Sequence, residues 1–83
     1  MIYDVLYFAW VRERIGLPKE KVTSDATTVA GLVADLCARE ERYAVAFSDI
    51  SALRVALDQE LSTFEAPLDG VREIAFFPPM TGG

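Results

Sequence analysis

The chain opens on a run dominated by apolar and aromatic residues, Ile2 to Ala9, whose alternation sets Tyr3, Val5 and Tyr7 against Asp4, Leu6 and Phe8. A stretch this short and this rich in β-branched and aromatic side chains predicts a strand. The lone charge, Asp4, marks the second side as the outward one, which leaves Leu6 and Phe8 apolar and exposed. Val11 to Gly16 is charged and stops at a glycine with Pro18 behind it, the pattern of a short helical turn or loop. A second short strand is expected over Lys19 to Ser24. At Val29 the period changes: Val29, Leu32, Val33, Leu36 and Cys37 recur at helical spacing, with Thr27 or Thr28 in place to cap the first turn. This is the main helix.

Arg39 to Arg42 closes that helix on charges, and the mixed stretch Tyr43 to Leu53 has room for a short second one. Arg54 to Leu57 and Leu61 to Phe64 predict two short strands about the connector Asp58-Gln59-Glu60, and Pro67, Asp69 and Gly70 mark a further turn. In the last regular segment, Glu73 to Phe77, Ile74 and Phe76 share one side while Glu73, Ala75 and Phe77 share the other. The order of elements predicts an α+β fold: a mixed sheet of about four to five strands covered on one face by the main helix.

At 83 residues there is room for one domain, expected over 1–77, followed by a tail over 78–83. A net charge of −5 argues against nucleic acid as a partner and suits a basic partner or none. One cysteine and no histidine leave no intramolecular disulfide and no familiar zinc or haem ligand set, so the reducing cytoplasm is the expected compartment. The longest apolar run, Val5 to Val11, is far short of the ~20 residues of a membrane span, and Met1 to Asp4 lacks the basic start of a signal peptide. No membrane partner is expected.

The chemical candidate is the tail. Pro78 and Pro79 end the last strand, since neither donates a ladder hydrogen bond, and they favour an extended backbone. Pro78, Pro79, Met80, Thr81, Gly82 and Gly83 together reach ~20 Å, enough to enter a pocket on another protein. Gly82 and Gly83 carry no side chains, so a narrow channel can admit their backbone and present the carboxylate of Gly83 to a reactant.

The segment Phe76-Phe77-Pro78-Pro79-Met80-Thr81-Gly82-Gly83, the opening Val5-Leu6-Tyr7-Phe8-Ala9 with Val11-Arg12-Glu13, the Thr28-Val29 helix start and the Pro67-Leu68 turn resemble the small, sulfur-carrier subunits of molybdopterin synthases. These are ubiquitin-like β-grasp proteins. The resemblance runs from the first strand to Gly83; it departs at Asp69-Gly70-Val71-Arg72-Glu73, where Arg72 replaces an acidic residue usual in the family.

What the resemblance implies is a chemistry centred on Gly83. An activating enzyme similar to ubiquitin-activating enzymes uses ATP to adenylate its carboxylate, and a sulfur donor enzyme then converts it to a thiocarboxylate; AMP is the leaving group that a bare carboxylate lacks. No cofactor is permanently bound. The tail then enters a large subunit, two copies of each forming a heterotetramer, and sulfur passes to cyclic pyranopterin monophosphate to form molybdopterin. Gly82 would act beside Gly83, with Pro78, Pro79, Met80 and Thr81 positioning the end. Leu6, Phe8, Ala75 and Phe77, neighbours on the outward side of a β-grasp sheet, would meet the partner. Two other readings share the fold and the Gly-Gly end: a sulfur carrier for thiamine synthesis or tRNA thiolation, and a ubiquitin-like modifier joined to lysines of target proteins. Cys37, on the apolar stripe of the main helix, reads as core rather than as a reactive thiol. Trp10 reads as a partly buried cap on the strand end, and Asp58 with Glu60 as surface carboxylates without a pocket.

Overall fold

A computed structural model describes residues 1–79. Five strands form one sheet in the order β2-β1-β5-β3-β4, with β1 at Ile2–Tyr7, β2 at Lys19–Thr23, β3 at Arg54–Leu57, β4 at Glu60–Ser62 and β5 at Glu73–Phe77. The two central strands, β1 and β5, run parallel, and the other pairs are antiparallel. A parallel pair needs a long connection, and here nearly the whole chain lies between its two members.

The inward set of β1, Tyr3, Val5 and Tyr7, is buried with Val22, Val55, Ile74 and Phe76 of the other strands. Onto it pack Val29, Leu32, Val33 and Leu36 of helix α2 (Val29–Arg39), Val11 and Ile15 of α1 (Ala9–Ile15) and Tyr43 and Ala46 of α3 (Glu41–Ala46). All three helices therefore serve one face. Phe76 sits at the centre, its ring 4.9 Å from that of Phe47 edge-on and stacked at 6.2 Å on both Tyr7 and Phe64. Among the described residues no helix is long and apolar enough to cross a membrane.

Local chemistry sets the ends of these elements. The hydroxyl of Thr28 accepts the Gly31 N–H at 3.1 Å, capping α2. Gly16, at φ 91°, takes the left-handed conformation that closes α1 and bonds its N–H to the Arg12 carbonyl at 2.7 Å. The β3–β4 hairpin turns on Asp58 and Gln59, both left-handed at φ 49° and 71°. The Asp58 carboxylate holds that turn by accepting the N–H groups of Arg72 at 3.0 Å and Glu73 at 2.9 Å.

Three boundaries differ from those expected. The first strand stops at Tyr7 instead of Ala9, because Ala9 takes φ 54° and starts α1 two residues ahead of Val11. The fourth strand is Glu60–Ser62 rather than Leu61 to Phe64. Phe64 leaves the sheet, stacks on Phe76 and gives its carbonyl to the Ala30 N–H at 2.7 Å, tying the hairpin to the start of α2. Lastly, β2 ends at Thr23, one residue before the expected Ser24, whose N–H bonds to the Met1 carbonyl.

Candidate functional site

Because β1 and β5 are parallel and pair Leu6 with Ala75 and Tyr7 with Phe76, their C-terminal ends lie at the same edge of the sheet. The Phe8 N–H continues the ladder to the Phe76 carbonyl at 3.1 Å. Register then fixes a row across the outer face: Lys19, Leu6, Ala75, Ala56 and Leu61 are successive Cα partners on β2, β1, β5, β3 and β4. Nearer the tail, Phe77 is paired with Arg54. Since the three α-helices pack on the opposite face, none of them covers this one.

The sequence-derived face residues do share this surface, but not equally. Phe8 is 46% exposed, while Leu6 and Phe77 are half-buried. Ala75 was expected to be exposed and is not: at 7% it is buried, because its short side chain lies in the central strand between those of Leu6 and Ala56. It forms the floor of the patch. Leu61, 73% exposed at the end of the same row, was overlooked. The signal was present in the chain, as the residue of β4 opposite Ala56, but it becomes readable only once the register is known.

Pro78 and Pro79 follow Phe77 directly and are half-buried. Met80, Thr81, Gly82 and Gly83, on which the expected chemistry turns, lie outside the described residues.

Charge is distributed unevenly along the sheet. Where β1 and β5 end, the antiparallel strands β2 and β3 begin, and they begin with Lys19 and Arg54. Arg14 lies at the same end on α1, its guanidinium 4.4 Å above the ring of Trp10, which packs partly buried against the core. Toward the opposite end stand Asp25, Asp58, Asp69 and Glu73, together with Lys21 and Arg72, and Asp4 lies midway along β1. Asp4 is paired with Lys21 at 2.8 Å, an exposed bond that lowers its carboxyl below the usual range. The N–H groups of Glu73 and Arg72 do the same for Asp58. Part of the net acidity that suggested a basic partner therefore lies toward the end remote from the tail.

Cys37 lies away from this face, half-buried on α2, and its thiol donates to the Tyr43 carbonyl at 3.7 Å. Burial raises its pKa, which disfavours the thiolate. Among the described residues no group of three or more His, Cys, Asp or Glu side chains is placed to hold a metal ion. The arrangement offers an apolar surface at the root of the tail.

Residues 5–83 match the ThiS family. The chain belongs to that family. It is 43% identical over 79 residues to the molybdopterin synthase sulfur carrier subunit of Escherichia coli, covering 95% of this chain and 96% of that protein. The molybdopterin synthase sulfur carrier subunit of Haemophilus influenzae is 36% identical over 80 residues, with 96% and 98% covered. The crystal structure of SAMP1 from Haloferax volcanii superposes with a TM-score of 0.78 at 20% identity, over the whole of both chains. The fold is thus the ubiquitin-like β-grasp fold, as the resemblance led one to expect, within the α+β plan that the order of elements predicts.

Proposed function

We propose that this ThiS-family chain is the sulfur carrier subunit of a molybdopterin synthase. The observation that carries the reading is its 43% identity with a sulfur carrier subunit across 96% of that protein. Its part in the reaction is to supply the reacting group. ATP, bound by an activating enzyme, converts the Gly83 carboxylate to an acyl adenylate with loss of pyrophosphate, and sulfur from a donor enzyme displaces AMP to leave a thiocarboxylate. The large subunit then receives the tail, and the sulfur moves to cyclic pyranopterin monophosphate while water restores the carboxylate. The carrier and the large subunit, two of each, form the working complex in the cytoplasm.

The outer face supports this division of labour. Leu6, Phe8, Leu61 and Phe77, over the floor at Ala75, form one apolar surface from which the tail departs, so docking that surface also aims Gly83. Pro78 and Pro79 stiffen the root, Met80 and Thr81 carry it onward, and Gly82 gives the backbone passage to the reacting centre.

The test is the mass of the C-terminal peptide after incubation with the activating enzyme, ATP and a sulfur donor. Replacement of one oxygen by sulfur at Gly83 is the expected result; a plain carboxylate throughout would overturn the reading. Deleting Gly83, or adding a residue after it, should abolish transfer with the fold unchanged. The whole-chain superposition on SAMP1 favours a second reading, a ubiquitin-like modifier, and conjugates to lysines in cell extracts would support that one instead.

A further inference from the structure

We infer that the end of the sheet bearing the tail is a cationic docking pole, and that the large subunit meets it with carboxylates set around an apolar centre. This rests on the sulfur-carrier reading and adds the chemistry of the partner's surface. The chain as a whole, with 8 basic and 13 acidic residues, would repel such a surface. Topology sorts the charges. The parallel pair β1–β5 brings Phe8 and Phe77 to one edge, and the antiparallel neighbours of that pair place Lys19 and Arg54 on either side of them. Both cations are exposed, and among the described residues neither is in an ion pair.

Two details show that the pole is held in place. Arg54 donates to the carbonyls of Ser51 at 3.3 Å and Leu53 at 2.9 Å, which fixes its guanidinium beside the root of the tail. Arg14 is laid over Trp10, two residues beyond Phe8. The anions Asp25, Asp58, Asp69 and Glu73 lie toward the other end with the cations Lys21 and Arg72, while near the tail the carboxylate of Glu20 is taken up by Tyr7 and Tyr43 and that of Asp49 by Ser51, leaving Glu13 as the acid beside Arg14. A partner with an acidic rim would therefore be drawn to the tail end and turned away elsewhere, so the field orients the encounter before the apolar patch closes.

Stopped-flow association with the large subunit tests the inference. Replacing all three cations (Arg14→Gln, Lys19→Gln, Arg54→Gln) should slow association about tenfold at low salt, with the difference vanishing near ~0.5 M NaCl, where the screening length is about 4 Å. Arg72→Gln, at the opposite end, should leave the rate unchanged. Equal rates for the triple variant and the parent, or a rate insensitive to salt, would overturn the inference. A second arm needs no partner: hexaglutamate titrated into the labelled full chain should move the amides of Phe8, Lys19, Arg54 and Phe77 and spare those around Asp58 and Asp69. Shifts there without any binding by the large subunit would uphold the pole and sink the carrier reading. An even response, or none, would sink the pole.

Discussion

The phenol of Tyr7 donates to the carboxylate of Glu20 at 2.8 Å across the β1–β2 pair, and the same carboxylate oxygen accepts the hydroxyl of Tyr43 from α3 at 2.5 Å. Tyr7 and Tyr43 are 1% and 3% exposed, so Glu20 is what satisfies two phenols otherwise shut away from water. Glu20→Ala leaves the Tyr7 hydroxyl without a partner and Tyr43 with only the 3.4 Å bond it accepts from Arg42, and should cost ~2–4 kcal/mol by urea denaturation, whereas Tyr7→Phe, which removes the donor with its need, should cost about 1 kcal/mol. A Glu20→Ala loss below that of Tyr7→Phe would contradict this account.

The same cluster sets an alkaline limit. Burial first, and then the bond to Glu20, push the Tyr43 hydroxyl up to about 12 and raise that of Tyr7 as well. A group whose pKa is higher folded than unfolded contributes fully below its unfolded value, near pH 10 for tyrosine, and loses that contribution as pH rises toward the folded value. Urea midpoints should fall between about pH 10 and 12, and Tyr43→Phe should flatten that fall.

Asp58 sets the opposite limit. Its carboxyl lies below the ordinary 3.8, held there by the Glu73 and Arg72 N–H groups. Its contribution is thus present above the unfolded value and is lost as pH drops through the folded one. Asp58→Asn, which keeps an acceptor oxygen but cannot titrate, should make stability less dependent on pH below about 4. An unchanged acid profile would count against the clamp.

At the start of α2, Thr28→Ala removes the acceptor for the Gly31 N–H and should lower stability by about 1 kcal/mol. Thr28→Ser, which keeps the oxygen, should recover most of it. Thermal melts of the two variants decide.

On the outer face, Leu61→Asp should weaken binding to the large subunit at least about tenfold while shifting stability by no more than ~0.5 kcal/mol, since the side chain is 73% exposed. Calorimetric titration alongside urea denaturation separates the two effects. Full affinity in this variant would remove Leu61 from the docking surface.

Period and punctuation made most of this fold readable. Tyr3, Val5 and Tyr7 alternate with Asp4 and Leu6 because one side of β1 is core, and Thr28 caps where the helical stripe begins. The failures share a cause: they depend on partners far away in sequence. Phe64 looked like strand until Phe76 and Ala30 drew it out of the sheet. Ala75 looked exposed until Leu6 and Ala56 flanked it. Glu20 shows nothing of its role without Tyr43, 23 residues on. Net charge, an average over the chain, concealed the separation between Arg54 and the acidic end.

The parallel alignment of β1 and β5 also matters for handling the protein. Met1 enters the sheet beside Ser24, at the end opposite Phe77, and six residues of strand separate the two ends by ~20 Å. A label or affinity handle fused ahead of Met1 would emerge behind the docked molecule, clear of any partner that swallows the tail. One fused beyond Gly83 would cap the carboxylate to which the proposed chemistry is assigned.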